Sequence, residues 1–97
     1  MVLNVSSVFT EAALKTLDEY INEVHLMLID GRIAADRGAM IITKAKTKRP
    51  SVKIIVVANN ENTKTRVLDY GADDFMIKQV GAEVLTNKVI TQLASRL

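Results

Sequence analysis

Short apolar runs alternate with stretches of helical spacing along this chain, and the two patterns take turns four times. The first run, Met1 to Val5, reads as a short strand closed by Ser6-Ser7. Ala13, Leu14, Leu17, Ile21 and Val24 then recur at three- and four-residue steps, which predicts a helix from about Glu11 to Glu23. Thr10 is placed as its N-cap, with Phe9 and Leu14 forming a hydrophobic staple. Four unbroken apolar residues, Leu26 to Ile29, make the second strand and stop at a single carboxylate, Asp30. Gly31 and Gly38 suggest a loop there, followed by a second helix over roughly Arg37 to Lys48. That helix must end before Pro50, because the residue preceding a proline is pushed out of the helical region. KIIVVA, Lys53 to Ala58, is an apolar and mostly β-branched third strand. NNENTKT carries several capping residues into a third helix that ends at Tyr70, with Gly71 suited to the left-handed position after it. DFMI, Asp74 to Ile77, is the fourth strand and leads to Lys78. The last helix, about Ala82 to Leu97, carries a stripe of Leu85, Val89, Ile90, Leu93 and Leu97.

Continuously apolar strands alternating with helices predict a parallel sheet covered on its faces. The expected fold is a flavodoxin-like three-layer α/β sandwich with a shortened four-stranded parallel sheet, (βα)4. At 97 residues, without an internal repeat or linker, residues 1–97 are expected to form a single domain. Crossovers between parallel strands are right-handed. If the four strands lie in sequence order, the first three helices fall on one face and only the last covers the other. One helix is ~10–12 Å wide while four strands ~4.8 Å apart span more, so part of an apolar face stays open. A second copy is expected to cover it, as a homodimer.

Composition narrows the chemistry. With 48% hydrophobic and 25% charged residues the chain is that of an ordinary globular domain. It has no cysteine, so disulfides, thiolate metal sites and thiol catalysis are excluded. No apolar run approaches the ~20 residues of a membrane span, and nothing resembles a signal peptide. The expectation is a cytoplasmic protein. A net charge of +2 is too small to argue for nucleic acid. The basic run KAKTKRPSVK lacks interleaved aromatics for base stacking, and a solvated helix end explains its cations better. The lone His25 has no neighbouring nucleophile or ligand cluster, and Met27, Met40 and Met76 read as core filler.

Ligands of such sheets bind beyond the carboxyl ends of the strands, here Ser6-Ser7, Asp30, Ala58-Asn59 and Lys78. Asp30 and Lys78 would thus meet at one rim. At this point the sequence resembles the receiver domain of two-component response regulators over roughly two-thirds of its length. The strand-end Asp30, VKIIVVANN and GADDFMIK carry that resemblance. It implies that Asp30 is equivalent to the phosphoacceptor aspartate, Lys78 to the phosphoryl-sensing lysine, and Phe75 to the switch aromatic. It also implies Mg²⁺ held by that aspartate and an acidic pair after the first strand.

The departures from the family pattern are as informative. The acidic-pair positions hold Ser6 and Ser7, whose neutral hydroxyls cannot replace two carboxylates as Mg²⁺ ligands. The switch position that normally bears Thr or Ser is Ala58, Gln79 replaces the proline after the lysine, and Ala34 replaces another after Asp30. Asp36 offers one candidate compensating carboxylate. Receivers have five strands and five helices, whereas this chain has room for four of each. Either VLNVSS is the family's first strand, or the opening βα unit is absent and VFTEAALKTL is its second helix. The expectation is a pseudo-receiver, not an enzyme, that acts as a phosphorylation-independent signalling or scaffolding module through protein contacts. No cofactor or metal is expected. Partners would be proteins, such as a histidine kinase or an effector domain, and not nucleic acid or membrane. Lys64, Arg66, Tyr70, Phe75 and Lys88 are candidates for the contact surface. The alternative keeps the chemistry: Asp30 accepts a phosphoryl group with Mg²⁺ present, and Lys78 stabilises the product.

Overall fold

The computed structural model describes residues 2–5, 10–20, 22–78 and 82–94. Eight elements follow one another as β1 (Val2–Val5), α1 (Thr10–Glu19), β2 (Leu26–Asp30), α2 (Gly31–Lys48), β3 (Lys53–Ala58), α3 (Lys64–Tyr70), β4 (Asp74–Ile77) and α4 (Ala82–Ala94). The strands form one sheet in the order β1-β2-β3-β4, all parallel. Sequential order with right-handed crossovers sends α1, α2 and α3 to the same face. There α1 packs on α2 and α2 on α3, while α4 lies against β2 and β3. Three layers result, as the alternation of patterns predicts.

Strand alternation divides the apolar residues between two cores of unequal size. Val5, Met27, Ile29, Ile54, Val56 and Phe75 point to the three-helix face and join Leu17, Ile41, Ile42 and Val67 in the main core. Among the described residues the opposite face holds only Leu26, Ile55 and Met76 as buried apolar residues, with Leu28 and Val57 half-buried beneath Leu85, Val89 and Leu93 of α4. No described residue of α4 is itself buried. A single helix cannot seal a four-stranded face.

Two boundaries differ from the sequence reading. Helix α1 ends at Glu19, and Tyr20 begins a turn in which the N–H groups of Glu23 and Val24 both donate to its carbonyl, at 2.8 and 3.0 Å. The expected loop after Asp30 does not exist. Instead α2 starts at Gly31 and runs 18 residues. Gly38 sits inside it at a cost of only ~1 kcal/mol relative to alanine, which a long, well-packed helix absorbs. Asp36 therefore lies in α2, with its side chain outside the described set. Arg49 adopts φ −142°, ending α2 before Pro50 as expected, and Gly71 takes φ +116° after α3. Ser6, Ser7, Phe9 with its staple, Ile21, Gln79 and Leu97 lie outside the described residues.

The imbalance between the faces gives a test on adjacent residues of β3. Val56→Ala, in the main core, is expected to cost about 2 kcal/mol or more, and Val57→Ala, under α4, about 1 kcal/mol or less. Urea denaturation of the two variants measures both, and equal losses would contradict a thin second core.

Candidate functional site

The site stands at the carboxyl rim, where β2 turns directly into α2. Asp30 has the extended backbone of an N-cap, φ −63° and ψ 135°, and its Oδ1 accepts the Arg32 N–H at 2.8 Å. A carboxylate here satisfies an otherwise orphaned helix donor and also faces the positive end of the helix dipole. Since the first turn of α2 carries no acidic residue, Asp30 supplies the negative charge alone. A strand-end aspartate therefore has a structural reason to exist.

Two cations complete its surroundings. Arg32 reaches back with Nε 3.2 Å from Oδ1 and Nη2 3.5 Å from Oδ2. Lys78, 48 residues away, places Nζ 3.1 Å from Oδ2. The expected meeting of Asp30 and Lys78 at one rim is what the structure contains. The Asp30 side chain is only 10% exposed, whereas Lys78 is 39% and Arg32 77% exposed. Burial by itself pushes the carboxyl pKa up. The Arg32 N–H, the guanidinium and the Lys78 ammonium overcome that and lower it from 3.8 to about 2.

Beside this junction the backbone is tightly packed. A Cβ built on Gly31 would collide with the Cβ of Ala58 and lie 2.7 Å from its Cα. Only glycine lets the first turn of α2 press on the end of β3, and Ala58 is itself buried there. Phe75 pairs with Val56 in register and is buried in the main core. That corrects its place among the contact candidates, because strand alternation turns its ring inward. Lys88 is also not a free surface cation: its Nζ lies 3.0 and 3.1 Å from the Asp74 carboxylate. Lys64, Arg66 and Tyr70 are exposed, as expected.

A second charged cluster, at the opposite end of the sheet, was not singled out from the sequence. Asp73 Oδ2 accepts the Ile54 N–H at 2.8 Å and the Lys46 ammonium at 2.7 Å, and the same ammonium donates to the Val52 carbonyl at 2.6 Å. The Asp73 N–H donates to the Ile54 carbonyl at 2.8 Å. Asp73 thus joins the C-terminal part of α2, the start of β3 and the start of β4, while Asp74 ties α4 to the sheet. The signal was two successive acids opening a strand in a chain rich in lysine. Arg32 was missed too, two residues after an aspartate read only as a strand end.

A family model for the response regulator receiver domain matches residues 5–90. The chain belongs to that family. Among solved receivers it is similar to a response regulator receiver domain protein (CheY-like) from Methanospirillum hungatei JF-1, with TM-score 0.68 and 20% identity over 98% of this chain and 93% of that one. It is also similar to a response regulator protein from Burkholderia pseudomallei with a phosphorylated aspartic acid, calcium ion and citrate, with TM-score 0.62 and 14% identity over 97% of this chain and 68% of that one. Over 81 residues it is 31% identical to a cyclic di-GMP phosphodiesterase of Thermotoga maritima, a match covering 81% of this chain. The receiver spans 22% of that curated relative's length. No helix among the described residues is long and apolar enough to cross a membrane.

Receiver chemistry in the family calls for a divalent cation at the aspartate, and the residues present do not suit one. Magnesium favours several hard oxygen ligands in octahedral array. Here both Asp30 oxygens already accept hydrogen bonds, and the neighbouring charges are cations. Among the described residues no group of three or more acidic or histidine side chains converges on one point.

The pH dependence of stability checks the capping geometry. Folding lowers the Asp30 pKa, so its contribution is complete above the unfolded-chain value of 3.8 and fades as pH falls through about 2. With solvent screening at the open rim, that contribution is about 1 kcal/mol. Asp30→Asn should be less stable than the parent by about that amount above pH ~4, and the gap should narrow below it. Denaturant titration at several pH values measures this, and a gap independent of pH would contradict the ionised cap.

Proposed function

We propose that this receiver works without phosphorylation, as a pseudo-receiver that signals or scaffolds by docking to other proteins and catalyses no reaction. The observation that carries this reading is the commitment of the Asp30 carboxylate. One oxygen caps α2 and the other binds Lys78, with the Arg32 guanidinium in contact with both. A phosphoryl group arriving at Oδ1 would displace the bond that caps an 18-residue helix, and one arriving at Oδ2 would displace Lys78.

Three further residues support it. Ser6 and Ser7 stand where the family's acidic pair would bring in Mg²⁺ to offset the charge of the transferring group. Ala58 offers no hydroxyl to receive a phosphoryl oxygen, and its Cβ would collide with any side chain at position 31. A histidine kinase or an effector domain would then be recognised through the folded surface alone, without a phosphoryl-driven change of shape. The phosphodiesterase activity of the Thermotoga relative belongs to a protein mostly outside the matched region, and does not enter this reading.

An amide NMR titration tests the proposal, first with Mg²⁺ and then with beryllofluoride as a phosphoryl mimic. Asp30, Gly31, Arg32 and Lys78 are expected to keep their chemical shifts. Saturable shifts at millimolar Mg²⁺ that spread to Phe75 with the mimic would establish the phosphoaccepting receiver instead.

A further inference from the structure

On the three-helix side of the molecule, away from the carboxyl rim, α1 and α2 enclose a groove of about 510 Å³ lined by Leu14, Lys15, Asp18, Lys44, Thr47 and Lys48. Both helices return between parallel strands, so they run in the same direction and their side chains face one another in successive rungs. One rung is closed: Lys48 Nζ donates to Asp18 Oδ1 at 2.7 Å. One turn earlier, about 5.4 Å along both axes, Leu14 falls opposite Lys44. A buried leucine there takes the place of an acid, so this rung holds a cation and no carboxylate. Lys15 adds a second cation at the same level. Among the described residues, neither Lys15 nor Lys44 belongs to an ion pair.

We propose that this groove docks an acidic amphipathic helix of a partner protein, with an apolar anchor resting over Leu14 between carboxylates that pair with Lys15 and Lys44. This deepens the docking reading by stating the partner's chemistry, and it rests on that reading in requiring no phosphoryl trigger. Charge complementarity selects the occupant. Three lysines line the groove with one acid, and that acid is already bonded to Lys48. Two cations are left over, on either side of an apolar floor made by Leu14 and the alkyl stems of the lysines. A helix presents carboxylates at three- and four-residue spacing, about 6 Å apart, on the same face as its apolar anchors. That pattern supplies the carboxylate that the second rung lacks. A bilayer is flat where the groove is concave, and its row of phosphates would meet the Asp18 carboxylate. Nucleic acid would meet the same carboxylate, and the lining holds no aromatic ring on which a base could stack.

The expected strength is modest. Solvent-exposed ion pairs contribute little individually and are screened by salt, while one apolar anchor adds the burial of a single side chain. A dissociation constant on the order of 100 µM at low salt follows, in the range of a transient signalling contact.

Amide NMR titration with a capped synthetic helical peptide, one leucine flanked by glutamates at four-residue spacing, tests the groove. Saturable shifts are expected at Leu14, Lys15, Asp18, Lys44, Thr47 and Lys48, with a dissociation constant below ~1 mM at ~25 mM salt and several-fold weaker binding at ~150 mM. Lys44→Glu, at an exposed position, replaces attraction by repulsion and should weaken binding more than about fivefold. Thr65→Glu, exposed on α3, should leave it unchanged. Replacing the peptide's leucine by glutamine should also weaken binding, which charge alone would not do. A parent that shows no saturable shift overturns the proposal, as does binding that ignores Lys44→Glu or the loss of the leucine. Binding to phosphatidylcholine–phosphatidylglycerol vesicles that is lost in Lys44→Glu, with no response to the peptide, would overturn it in favour of a lipid surface. Peptide binding that needs Mg²⁺ and beryllofluoride and is lost in Lys44→Glu would support the groove and overturn the phosphorylation-independent reading. Absent peptide binding with an unmoved rim would overturn the groove alone, so the two failures are distinguishable.

Discussion

The hydrogen bond from the Arg32 N–H to Asp30 fixes the geometry of the whole carboxyl rim. It allows α2 to begin at the residue after β2, with no connecting loop. An immediate start brings the helix onto β3 closely enough that position 31 must be glycine and its neighbour at 58 must be small. The same carboxylate then draws Lys78 across from the end of β4. Cap, close approach and ion pair are a single arrangement, and altering any part disturbs the other two. A carboxylate kept ionised by these donors is well suited to holding a helix.

The other end of the sheet is held by a comparable device. Asp73 lies inside a ring of donors from β3 and α2, and Asp74 fastens the last helix. These two acids give the start of GADDFMIK a structural role in this chain. The polar anchors of α4 are both at the start of β4 while its apolar side lies against β2 and β3, and at the β1 edge Val2 is left 45% exposed.

Much of this was legible in the residues. The four apolar runs locate every strand to within a residue, because strands buried on both faces lack polar interruption. Sequence order and crossover handedness lead from there to three helices on one face and one on the other. The start of α2 was not legible, since Gly31 and Gly38 signal a loop by composition. Only the packing against Ala58 shows that the first glycine is a helix residue chosen for close approach. Phe75 could not be placed from motif position alone, because its inward orientation depends on strand register. The bonds of Asp73 and Asp74 depend on long-range partners, Lys46 and Lys88, that no local pattern pairs with them. At the rim, the residues that would meet were readable, while the cap that occupies Asp30 required the backbone of α2.

The most direct measurement is a ¹³C NMR titration of the Asp30 side-chain carboxyl, repeated in millimolar Mg²⁺. A helix-capping carboxylate bound by Arg32 and Lys78 should titrate near 2 in both conditions. A midpoint in the ordinary carboxylate range, lowered further when Mg²⁺ is added, would mean that Asp30 is a free ligand awaiting the ion, and would contradict the account of this receiver as a structure held by its former chemistry.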